Sequence, residues 1–150
     1  MTTAAYTALA DQLNAAAADA ARHQDRIAQH TGVKVRTVNH HPWLHAQIIT
    51  LITALTSGTA RLCPHIGASP LVIHTAAWAP GHLTCTACVS ALHPGVAEDS
   101  TCDRCRRPCS PIYPGMAQTG PILLAYGLCQ RCARRTGLGH PAPLPAQHGR

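Results

Sequence analysis

Residues 63–88 read CPHIGASPLVIHTAAWAPGHLTCTAC and residues 102–132 read CDRCRRPCSPIYPGMAQTGPILLAYGLCQRC. Each stretch opens and closes on a short pair of soft ligands: Cys63-Pro-His65 with Cys85-x-x-Cys88, then Cys102-x-x-Cys105 with Cys129-x-x-Cys132. Two residues between cysteines let one tight turn present both sulfurs to one ion, and a tetrahedral site takes four such ligands. The pairs use seven of the eight cysteines and one histidine, which completes two ligand sets and leaves Cys109 over. Nineteen residues intervene in the first unit (66 to 84) and twenty-three in the second (106 to 128), a tandem spacing that points to two structural zinc ions. Eight cysteines also permit a disulfide framework, but closely spaced pairs without a secretory signal favour metal in a reducing compartment. His65 turns the reading away from iron–sulfur clusters, most of which are held by cysteine alone.

Outside these pairs the chain has little with which to build a core. Its 150 residues include no Phe, two Trp and three Tyr. Metal is then expected to carry part of the folding free energy, and a structural zinc supplies about 10–16 kcal/mol in small finger peptides. Formal net charge is +6, with Lys34 as the one lysine among twelve basic residues. Arginine used almost to the exclusion of lysine, with abundant Ala, Pro and Gly, fits a high-GC bacterial or phage genome. Six arginines, Arg104, Arg106, Arg107, Arg131, Arg134 and Arg135, lie in or beside the second unit against Asp103. Because one ion would tie Cys102 and Cys105 to Cys129 and Cys132, these arginines are expected on one face, where phosphate or another acidic partner would meet them.

The first 58 residues read differently. Tyr6, Leu9, Leu13, Ala16, Ala20 and Ile27 recur at helical steps over residues 3–30, and Thr31-Gly32 ends that pattern. His41-Pro42 opens a second helix, with Leu44, Ile48, Leu51, Ile52 and Leu55 on one face and Gly58 as the stop. Two such stripes predict an antiparallel helical hairpin over 1–58, able to keep its helices without metal and to serve self-association or a protein partner. Residues 138–150, with Pro141, Pro143 and Pro145, read as a flexible tail. Neither a signal segment nor an apolar run long enough to span a bilayer is seen, so a cytoplasmic protein without membrane contact is expected.

Between residues 59 and 137 the two metal units share a plan. Each begins with a knuckle, continues through an extended apolar segment (Leu71 to Trp78, then Ile122 to Tyr126), and reaches its second ligand pair just beyond a Gly. A short helix is expected after each second pair. This layout, over about residues 61 to 137, resembles the treble-clef zinc finger. The resemblance implies a small, metal-dominated α+β protein: the hairpin 1–58, a first zinc unit over 59–98 and a second over 99–137. The alternative pairing is a cross-brace resembling RING fingers, in which the first and third pairs share an ion, although RING fingers place their Cys-x-His element in the middle of the ligand series.

Four protein ligands per ion leave no open position for water, so no enzyme activity is expected at these sites. The sole Glu is Glu98, which excludes the His-x-Glu of zinc deaminases and the His-Glu-x-x-His of zinc proteases. Cys109 is expected to be a free, partly buried thiol, activated by Arg106 and Arg107. Trp78 is expected to pack over the first zinc site and Trp43 to anchor the start of the second helix. The function these features predict is nucleic-acid binding through the six arginines, with a protein-interaction adaptor as the alternative.

Overall fold

The structure, a computed structural model, describes residues 2–33 and 35–139. Helix α1 runs Thr3–Thr31, starting where the Thr2 hydroxyl accepts from the Ala5 amide and ending at Gly32, whose φ of 73° suits a residue without a Cβ. Helix α2, Pro42–Ser57, has Pro42 in its first turn, His41 accepting from the Trp43 amide, and Gly58 at φ 74° as its stop. Strands β1 (Arg61–Leu62), β2 (Ile73–Ala76), β3 (Ala79–Cys85), β4 (Tyr113–Thr119) and β5 (Ile122–Leu128) follow, and helix α3 spans Gln130–Thr136.

The strands make one sheet in the order β1-β3-β2-β5-β4. Two antiparallel hairpins, β2/β3 and β4/β5, are joined by parallel pairing of β2 with β5, with Ile73 opposite Ile122 and Ala76 opposite Ala125. A strand covered on both faces reads as a continuous apolar run, as Ile122-Leu-Leu-Ala-Tyr-Gly-Leu128 does. The internal repeat is thereby corrected by one strand. Ile122–Tyr126 leads into the second ligand pair as β3 does, so its counterpart is β3; the Leu71–Trp78 segment corresponds to β4.

Side chains alternate across a sheet, and the two helices take opposite faces. On one face lie His74, Leu123, Met116 and Ala125, and the His23 ring of α1 packs edge-on against His74 with centroids 5.1 Å apart. On the other, Leu44 and Ile48 of α2 join Ala117, Leu124, Tyr126 and Leu128 in a core that also holds Cys102, Cys132 and Leu138. The expected hairpin of helices over 1–58 is therefore corrected: a sheet with two apolar faces gives each helix a better partner than the other helix. The expected tail at 138–150 changes at its start, because Leu138 is 4% exposed and its carbonyl accepts from Tyr126 Oη; the remainder from residue 140 lies outside the described residues.

Two details seat the helices. Gln24, buried on α1, donates from Nε2 to the carbonyls of Arg36 and Met116 at 3.2 Å each. Gly115 stands opposite Tyr126, and a Cβ there would run into the Tyr126 ring, so glycine lets that ring lie across β4 beneath Trp43. No helix among the described residues is long and apolar enough to cross a membrane.

Candidate metal centres

The first cluster gathers Cys63, His65, Cys85 and Cys88, and the second gathers Cys102, Cys105, Cys129 and Cys132; within each, the ligand atoms lie within 4.8 Å of one another. The eight residues thus meet in chain order and not in a cross-brace, and each group can hold a metal ion. Cys85 ends β3 beside Ile73, whereas Cys129 follows the far end of β5, so the clusters stand at opposite ends of the sheet. At ~3.3 Å per residue, the length of β5 alone separates them by roughly 20 Å.

Local hydrogen bonds build the first cluster. Parallel pairing of Leu62 with Leu83 carries the chain to Cys63, whose amide donates to the Leu83 carbonyl at 3.0 Å. Its sulfur accepts from the Cys85 amide at 3.2 Å, and His65 Nδ1 lies 3.2 Å from Cys88 Sγ and 3.6 Å from Cys85 Sγ. Cys85 and Cys88 bracket the start of the 3-10 turn Thr86–Leu92.

The second cluster is held by Asp103. Its amide donates to the Gly127 carbonyl at 2.9 Å and its Oδ2 accepts from the Gly127 amide at 2.6 Å, which stitches the knuckle to β5. The knuckle closes through Arg106 N to Cys102 O at 2.9 Å and Cys102 N to Arg107 O at 3.0 Å, with Arg106 at φ 58°. Across from it, Cys129 caps α3, its sulfur accepting from the Cys132 amide. The Cys105 and Cys129 sulfurs are 3.9 Å apart, far beyond the ~2.05 Å of a disulfide.

The thiols in each cluster titrate together. Burial works against ionisation at Cys63 and Cys102, but backbone N–H groups, from Cys85 and His65 in one case and Cys105, Cys129 and Arg104 in the other, bring both thiols down. Burial and neighbouring thiols push Cys88 and Cys132 up. One thiolate therefore forms readily in each cluster, and an incoming ion displaces the remaining protons.

Several expectations change here. Arg104 Nη1 stands 3.7 Å from Cys132 Sγ. Four thiolates around a divalent ion would leave two formal negative charges, which this arginine is placed to offset. Arg106, itself exposed, reaches Glu98 at 3.6 Å and Asp103 at 3.5 Å, an ion pairing no local pattern announces. Arg107, Arg131, Arg134 and Arg135 are exposed. The last three sit at i, i+3 and i+4 on α3 and share a flank. Cys109 lies outside the cluster, half-buried against the core, and burial followed by Cys102 raises its pKa, so the expected activation by arginine is not found. Trp78 sits at the β2–β3 turn, away from the first cluster at the hairpin's other end, with Nε1 donating to the Leu92 carbonyl at 2.7 Å. Trp43 meets Tyr126 at the start of α2, with ring centroids 5.5 Å apart.

Asp103 as the knuckle's tie, and Arg36, whose Nη2 donates to the Gly137 carbonyl beyond α3 at 2.6 Å, are site-building residues the sequence did not single out. The available signal was an acidic residue inside an otherwise basic knuckle. The chain matches no family model, no curated protein and no solved structure.

Proposed function

We propose that both centres hold structural zinc and that the protein binds nucleic acid through the arginine-rich flank of its second unit, acting by binding and not by catalysis. Zinc is supported by the 3.9 Å Cys105–Cys129 separation, close to the edge of about 3.8 Å that four sulfurs form around zinc at Zn–S distances near 2.3 Å. A treble-clef-like reading of each unit is supported by its succession of knuckle, strand hairpin and short helical turn bearing the last ligands.

The observation that carries nucleic-acid binding is that Arg107, Arg131, Arg134 and Arg135 are exposed and form no ion pair with a carboxylate among the described residues. Arg104 is placed to offset the charge of the centre and Arg106 is paired with Glu98 and Asp103, so four of the six arginines remain for phosphate. Cations held beside a rigid centre release counterions from a nucleic-acid backbone without ordering long side chains from scratch. In a titration with random duplex DNA, affinity is expected to fall steeply with salt, and R134A/R135A is expected to flatten the slope by about two. Absence of binding at low salt, or an unchanged slope in a folded double variant, overturns this reading.

A second reading, a protein-interaction adaptor, draws on the outer side of α2, where Ile49, Ile52 and Leu55 are 44–50% exposed. The stripe expected there divides: Leu44, Ile48 and Leu51 are buried on the sheet side, while Ile52 and Leu55 face outward.

A further inference from the structure

Helix α2 carries two stripes. Leu44, Ile48 and Leu51 are buried against the sheet, whereas His45, Ile49, Ile52 and Thr56, at steps of four, three and four, are exposed along an adjoining line. Ile49 and Ile52, its two central residues, are 50% and 48% exposed. Read from either end the stripe is the same: a polar residue, two isoleucines, a polar residue. Steps of three and four are those of the seam between two paired helices, and a stripe with this symmetry is complementary to itself run backwards.

Residues 37–60 contain no Asp, Glu, Lys or Arg, in a chain whose formal charge is +6. Two copies repel through the charges they carry elsewhere, so they meet at least cost on a surface that has none. The helix hydroxyls are already used. Thr50, Thr53 and Thr56 donate to the carbonyls of Ala46, Ile49 and Ile52 at 3.1, 2.9 and 3.0 Å, so this side can leave water without stranding a donor. The first turn of α2 has no acidic residue and the last turn no basic one, and an antiparallel partner helix brings to each end a dipole end of the opposite sign.

We propose that α2 pairs with the α2 of a second copy of this chain, antiparallel about a two-fold axis between Thr50 and Leu51, so that Ile49 of each copy meets Ile52 of the other and His45 meets Thr56. A two-fold contact requires that each residue and its counterpart exchange places, which the palindromic stripe satisfies. A parallel pair would set like dipole ends together. With 16 residues α2 is about 24 Å long, so the contact is small and a dissociation constant in the micromolar range is expected. The pairing does not rest on what the arginine flank binds.

Sedimentation of the metal-loaded full chain across the micromolar range tests this. A monomer–dimer equilibrium is expected, and added salt is expected to tighten it or leave it unchanged, because the charges that salt screens are repulsive. Ile49→Glu and Ile52→Lys each set a charge against isoleucine twice per dimer. Each is expected to weaken association at least about a hundredfold, with circular dichroism and metal content unchanged. Mixed in equal amounts, the two variants are expected to associate again, since the antiparallel register places the introduced carboxylate opposite the introduced ammonium and leaves isoleucine opposite isoleucine in the other layer. Should one variant fail to fold, the unsubstituted chain and the other variant decide. A monomer throughout the range, association that weakens with salt, a dimer that persists in a folded variant, or a mixture of folded variants that stays monomeric overturns the proposal.

Discussion

Cys105 and Cys109 stand four residues apart in the same loop, yet their environments separate their roles. Cys105 is exposed and its sulfur faces Cys129, whereas Cys109 donates its amide to the Ser100 carbonyl and rests on the core outside the ligand group. Cys105→Ser is expected to lower metal content from two ions to one, and Cys109→Ser to leave it unchanged; metal analysis of the purified variants checks both. His74 makes a different residue-level prediction. Burial first, then His23, holds its pKa down to about 4 against the usual 6.5, and its Nε2 meets Thr86 Oγ1 at 3.1 Å. A folded pKa below the unfolded one means that the contribution to stability is complete above pH 6.5 and is lost as pH falls through 4. That contribution amounts to a few kcal/mol at about 1.4 kcal/mol per unit. Ring carbon shifts followed by NMR are expected to show His74 neutral at pH 5.5, and a midpoint near 6.5 would contradict its burial.

Helix α1 divides at Ala16. Its buried residues are Ala16, Ala20 and Gln24, while Tyr6 and Leu13 remain 67% and 42% exposed, so the first half of the helix extends past the sheet. The apolar period runs through both halves. It therefore predicted a stripe of the right phase without saying where the partner surface ends. An uncovered helical segment of about a dozen residues is marginal in water by itself and persists here by propagation from the packed half. Removing residues 2–12 is expected to lower the helical circular-dichroism signal while leaving metal content unchanged and shifting the thermal midpoint by only a few degrees. A large drop in the midpoint would show that this half contributes to the core.

At the scale of the whole molecule, the ligands and the helices share one core. Cys102 and Cys132 are buried with Leu44 and Ile48 of α2 and with Tyr126, so the second centre lies under the same side chains that hold α2. This replaces the expectation of a helical part that survives metal removal. Chelation is expected to abolish the near-ultraviolet signal of Trp43 and Tyr126 and most of the helical signal in one transition. Loss of the aromatic signal with α2 retained would show two separable units.

The two ligand sets, the stops of α1 and α2, the start of α2 and the arginine enrichment around the second unit were legible in the sequence because each is a local matter: a spacing, a capping residue, a composition. Which hairpin strands pair, which sheet face each helix covers, and the turning of Arg106 toward Glu98 and Asp103 were decided only by the tertiary structure. A period of two or of 3.6 marks the side of an element that must be buried but carries no record of what will bury it. The parallel union of β2 with β5 joins segments about fifty residues apart in sequence, and it is that union which sets the metal centres at opposite ends of one sheet.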